Sequence, residues 1–106
     1  LVAWGLDPAD LEAAALIVVQ SAFLSAGQRC TCARRLIVED GHHEALLGAV
    51  VALADRLRID QPFADPAPFM GPVIDNRAAD GLIARSASVH GKTIRPLLRL
   101  RDGLPF

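Results

Sequence analysis

The 106-residue sequence is long enough for one domain at most. A chain of this length buries roughly 65% of its extended surface on folding, enough for a modest core. Its net charge of −1 excludes the strong electrostatic footprint that a nucleic acid or an anionic membrane requires. Hydrophobic residues make up 52% of the chain but aromatic ones only 5%, with no Tyr and one Trp. A free-standing domain this small has a high surface-to-volume ratio and should be more polar. The excess therefore reads as surface covered by the rest of a longer chain or by a partner subunit. A start at Leu1, with no initiator Met, fits a fragment or a processed product. Cys30 and Cys32 lie one residue apart and are poorly placed to bridge each other, so they read as reduced thiols of a cytoplasmic protein. The opening residues are not expected to be a signal peptide, since they lack its basic, apolar and small-residue pattern. The longest apolar stretch, residues 11–26, contains Glu12, Gln20 and Ser21 and reads as too short and too interrupted for a bilayer.

In chain order, residues 1–4 form a short apolar run suited to a strand. Asp7-Pro8-Ala9-Asp10 is a helix start: Asp7 caps, Pro8 suits the first helical position, and Asp10 puts negative charge in the first turn. Residues 11–24 are apolar nearly all round, which predicts a helix buried on most faces, ended by Ser25-Ala26-Gly27 with Gly27 as its C-terminal cap. After a connection over residues 28–33, residues 35–38 read as a strand that Gly41 breaks. Residues 43–57 carry Leu46, Leu47, Val50, Val51, Ala54 and Leu57 at helical spacing. Four prolines make residues 60–72 irregular. Asp75 caps a third helix over residues 77–89, Gly91 stops it, and residues 92–100 are expected as a last strand. The fold class is α/β: alternating strands and helices with parallel pairing.

Chemistry concentrates in Phe23-Leu24-Ser25-Ala26-Gly27-Gln28-Arg29-Cys30-Thr31-Cys32. The small-residue turn Ala26-Gly27 leads the backbone out of an apolar helix, and a cysteine follows three residues later. Such a loop exposes a thiol and leaves backbone N–H groups free to face a developing oxyanion. Arg29 and Arg34 favour thiolate over thiol. On chemistry alone, an inert core cysteine is the commoner use of these residue types.

Gly27-Gln28-Arg29-Cys30 resembles the Gly-Gln-x-Cys catalytic motif of the aldehyde dehydrogenase superfamily. The helix before it is similar to the one that leads into that motif. Pro68-Phe69-Met70-Gly71-Pro72-Val73-Ile74 resembles the family's Gly-Pro-Leu-Ile segment, in order and at the right distance. The fuller string from Ser25 to Leu36 looks like one bacterial branch, whose substrate carries carboxylates. The resemblance covers the chain through Ile74 and fades beyond about Gly91.

It implies that residues 1–106 are a partial, cysteine-bearing catalytic domain. Cys30 is then the nucleophile that adds to a small-molecule aldehyde. The aldehyde becomes an acid through a thiohemiacetal and a thioester, with NAD or NADP as cofactor. Arg29 and Thr31 fall where the substrate passes. The family's general-base Glu, oxyanion Asn, Gly-rich dinucleotide loop and nicotinamide-ribose segment do not occur in this sequence. The nucleotide-binding domain is thus expected to be absent, and this chain alone to bind no cofactor and to be inactive. The complete enzyme is expected to be a homo-oligomer.

The other polar residues have competing readings. Arg29 either pairs with a substrate carboxylate or makes a surface salt bridge. Cys32 is a small packed residue at a strand start or a second active-site thiol. Cys30, Cys32, His42 and His43 fit no standard zinc spacing, so no metal is expected. His90 reads as a helix-end residue facing the dipole. The non-enzymatic alternative is a structural or interaction module with an unused thiol.

Overall fold

The computed structural model describes all of Leu1–Phe106, which pack as two compact units, Leu1–Arg58 and Ile59–Phe106. The first unit holds strand β1 (Val2–Ala3), a 3-10 turn (Pro8–Asp10), helix α1 (Leu11–Phe23), a second 3-10 segment (Leu24–Gly27), strand β2 (Ile37–Val38) and helix α2 (His43–Ala54). β1 and β2 pair in parallel, Val2 with Ile37 and Ala3 with Val38, with α1 as the connection between them. Parallel strands need such a crossover because a tight hairpin cannot reverse the direction twice. This is the α/β arrangement expected from the sequence.

Local signals set where α1 begins. Asp7 accepts a hydrogen bond from the Ala9 amide at 2.8 Å, and Pro8 occupies the first turn, where its missing N–H is no loss. The core of this unit is small: Ala3, Ala15 and Leu46 are buried and flanked by Leu6, Leu11, Leu36, Val38, Val50 and Leu53. α1 packs chiefly on α2. Only Ala15, Val18 and Val19 of α1 are buried, whereas Leu16 and Ile17 are 47% and 58% exposed. The expectation of a helix buried on most faces is corrected here. α2 and the strands cover one side of α1, and no other element of the unit is left to cover the rest.

Counted together, the helical residues Pro8–Gly27 reach 20 residues with a mean hydropathy of 1.4. That run is longer than the stretch read from sequence, and by length and composition it is enough to cross a membrane, as core helices of globular enzymes also are. Its regular α-helical part is 13 residues. At 1.5 Å per residue this is about 20 Å, against roughly 30 Å of hydrocarbon.

α2 stops at Ala54, short of Leu57. The next amides turn back three residues, Arg56 to Leu53 O and Leu57 to Ala54 O, both at 3.1 Å, which tightens the end into a 3-10 turn.

In the second unit, helix α3 (Asn76–Ser86) begins at Asp75, whose side chain accepts the Ala78 amide at 2.7 Å. It ends earlier than the predicted Val89. The hydroxyls of Ser86 and Ser88 take the carbonyls of Ile83 and Arg85 at 2.7 and 2.8 Å, in competition with the helix ladder. His90 accordingly lies beyond the helix end and is exposed.

Residues 92–100 form no strand. No strand edge in this unit receives their N–H and C=O groups, and Pro96 has no N–H to give. The segment folds back instead: Leu100 N–H donates to Phe106 O at 2.9 Å, and Arg99 reaches Asn76 Oδ1 at 3.0 Å, Leu104 O at 2.6 Å and Asp80. Arg101 pairs with Asp60 at 2.7 Å and stacks over the Phe106 ring.

Candidate active site

The loop after α1 has an unusual backbone. Ser25 (φ 58°, ψ 36°) and Ala26 (φ 54°, ψ 32°) are left-handed, and Gly27 follows at φ 68°. The break thus begins two residues before the glycine expected to make it. Only glycine adopts this region freely; each L residue there costs about 1–2 kcal/mol. Strain of this kind clusters where a side chain must be held for function.

Three bonds over-determine the loop: Gln28 N–H to Ser25 O (3.1 Å), Cys32 N–H to Arg29 O (3.1 Å) and Ala33 N–H to Ser21 O (3.0 Å). The second closes a β-turn with Cys30 and Thr31 at its two central positions. Cys30 is therefore exposed at the tip of a turn. The amides of Arg29, Cys30 and Thr31 donate to no carbonyl of the chain.

Beside the turn lies a cleft of about 330 Å³, lined by Ile17, Gln20, Ser21, Leu24, Arg29, Thr31 and Cys32. Arg29 and Thr31, both expected on the substrate path, share this cleft. Cys30 does not line it but stands at the adjoining turn. Cys32 is half-buried, and its thiol faces Leu24 O at 3.8 Å. The guanidinium groups nearby contact the loop itself: Arg29 Nε donates to Ser25 Oγ at 3.0 Å, and Arg34 Nη1 to Cys32 O at 3.3 Å.

Sequence reasoning missed Gln20 and Ser21 as lining of this cleft. The signal for Gln20 was present, as a lone amide within an otherwise apolar helix. No three His, Cys, Asp or Glu side chains come together as a metal cluster, and His42 instead lies 3.7 Å from Glu39.

A family model described as the aldehyde dehydrogenase family matches residues 5–98. The chain belongs to the aldehyde dehydrogenase family. It is 56% identical, over its whole length, to an N-succinylglutamate 5-semialdehyde dehydrogenase from Sphingopyxis alaskensis, of which it covers 22%. A protein of the same description from Caulobacter vibrioides is 55% identical over 92% of the chain and 20% of its own length. The likeness thus runs further toward the C-terminus than the motifs traced it.

Among solved structures, a Thermus 1-pyrroline-5-carboxylate dehydrogenase with bound NAD superposes with a TM-score of 0.81 at 30% identity. It covers 92% of this chain and 19% of that one. A Bradyrhizobium japonicum proline utilization A mutant gives 0.71 at 33% identity, over 90% of this chain and 10% of that one. The chain spans about a fifth of the length of the curated aldehyde dehydrogenases it matches.

Proposed function

We propose that this chain is the nucleophile-bearing segment of a longer aldehyde dehydrogenase that oxidises N-succinylglutamate 5-semialdehyde to N-succinylglutamate. The observation that carries it is the exposed Cys30 at the tip of a strained, hydrogen-bonded turn, beside a cleft that holds Arg29 and Thr31. Further support comes from the relatives at about half identity that bear this description.

In this reading the Cys30 sulfur adds to the aldehyde carbon, and charge develops on the carbonyl oxygen. The amides of Arg29, Cys30 and Thr31, which donate to no carbonyl of the chain, are the groups here that can meet that charge. Once the carbon's hydride has left to a nicotinamide cofactor, which the remainder of the longer enzyme would hold, the acyl group rests on Cys30 as a thioester until water releases the acid. The substrate's carboxylates lie several bonds from its aldehyde carbon, so one molecule spans from Cys30 into the cleft. There Arg29 meets a carboxylate, Thr31 adds a hydroxyl, and Ile17 and Leu24 flank the methylene chain.

Nothing in these residues fits a dinucleotide. No Gly-rich strand-to-helix loop is present, and no residue of the chain is assigned to NAD or NADP. The hydride acceptor belongs to the remainder of the longer enzyme, as does the general base. Free thiols at Cys30 and Cys32 suit a cytoplasmic enzyme. The open apolar side chains of α1 suit cover by the rest of that enzyme or by a second subunit.

The 106-residue chain alone, given NAD+ or NADP+ and the semialdehyde, is expected to form no reduced cofactor. Turnover that disappears in Cys30→Ala would show that the chain is self-sufficient and this division of labour is mistaken.

Arg29→Leu tests the substrate. A charge-assisted pair to a carboxylate is worth about 1.5–3 kcal/mol, so kcat/KM for the semialdehyde should fall roughly ten- to hundredfold in the full-length enzyme. Butanal, which has no carboxylate, should be nearly unaffected. Equal losses on both aldehydes would assign Arg29 to the loop's structure and remove it from substrate recognition.

A further inference from the structure

Arg29 can grip a carboxylate with both terminal nitrogens only if its guanidinium is held at a fixed angle. Bidentate pairing fixes both distance and plane, and a swinging side chain supplies neither. One bond in the loop does this. Arg29 Nε donates to Ser25 Oγ at 3.0 Å, which occupies the inner N–H of the guanidinium, while Nη1 and Nη2 have no partner within the chain. Arg29 is among the residues that line the cleft, with Gln20 and Thr31, which puts it beside the space a carboxylate would fill. Ser25 reaches this position because its backbone is left-handed, a conformation serine adopts at a cost. The Ser25 carbonyl, bonded to the Gln28 amide at 3.1 Å, keeps the residue in place.

We infer that Ser25 is a positioning residue for substrate recognition. Its hydroxyl locks the guanidinium of Arg29 so that the paired Nη edge meets the substrate carboxylate. The inference rests on the reading of Arg29 given above and adds the residue that makes that contact bidentate.

Two variants separate the hydroxyl from the backbone. Ser25→Gly accepts the left-handed conformation and lacks the hydroxyl. Ser25→Asn also tolerates that conformation and restores an acceptor oxygen. In the full-length enzyme, Ser25→Gly should raise KM for the semialdehyde about three- to tenfold, the loss expected for one ordinary hydrogen bond. It should leave kcat, and both constants for butanal, near wild type. Ser25→Asn should recover most of the loss, and Ser25→Gly should add nothing in an Arg29→Leu background.

Additive losses in the double variant, equal losses on both aldehydes, or failure of Ser25→Asn to recover KM would overturn the inference. The single variant Arg29→Leu keeps the two levels apart. If it is selective for the semialdehyde while Ser25→Gly changes nothing, only the role of Ser25 fails. If it is unselective, the carboxylate contact fails and the role of Ser25 falls with it.

Discussion

In the full-length enzyme, Cys30→Ala is expected to lower kcat by roughly 10⁴-fold or more, because removing a covalent nucleophile closes the route and does not merely slow one step of it. Cys32→Ala should lose far less, since that thiol is half-buried against Leu24 O and Cys30 is the one exposed at the turn. Brief iodoacetamide treatment followed by mass spectrometry gives a second readout. Cys30 should carry most of the label, and the labelled enzyme should be inactive. Preferential labelling of Cys32, or a Cys30→Ala enzyme that still turns over, would move the nucleophile elsewhere.

Gly27→Ala is expected to damage both the loop and the chemistry. At φ +68° an L residue is strained whatever the space around it, and a Cβ built there would lie 3.1 Å from the Ala22 carbonyl oxygen in the last turn of α1. That oxygen is backbone and cannot swing aside. With Ser25 and Ala26 already left-handed, a third L residue should cost the loop about 2–3 kcal/mol. In amide hydrogen exchange on the full-length enzyme, the Gln28 and Ala33 amides, which close the loop onto Ser25 and Ser21, should exchange about thirtyfold faster or more. Activity should fall as well, because Cys30 follows three residues later on the same pinned turn. Ala26→Gly, relieved of its own left-handed penalty, should be neutral or stabilising. Wild-type exchange and activity in Gly27→Ala would mean that the left-handed turn is not needed to hold the site.

What sequence alone determined here is what short-range chemistry decides. Asp7 and Asp75 mark helix starts because a capping carboxylate needs only an amide two or three residues on, and both bonds form as expected. The two helix-bounded apolar runs and the parallel β1–β2 pair follow from periodicity and from the length of the connection. The cysteine-bearing loop was visible as Gly27-Gln28-Arg29-Cys30, a string whose residues adjoin along the chain.

Tertiary structure decided the features that depend on distant partners. Residues 92–100 have strand-like composition, but a strand exists only where a neighbouring strand accepts its hydrogen bonds. Here Arg99 and Leu100 find partners in Asn76, Leu104 and Phe106 instead. α1 looks apolar on every face, yet how much of it is buried depends on what lies against it, and within its unit α2 and the strands leave Leu16 and Ile17 open. The left-handed run from Ser25 to Gly27 could not be read from residue types, since two of the three disfavour it. It persists because three backbone bonds around it, one of them from Ala33 back to Ser21 in α1, outweigh the local preference.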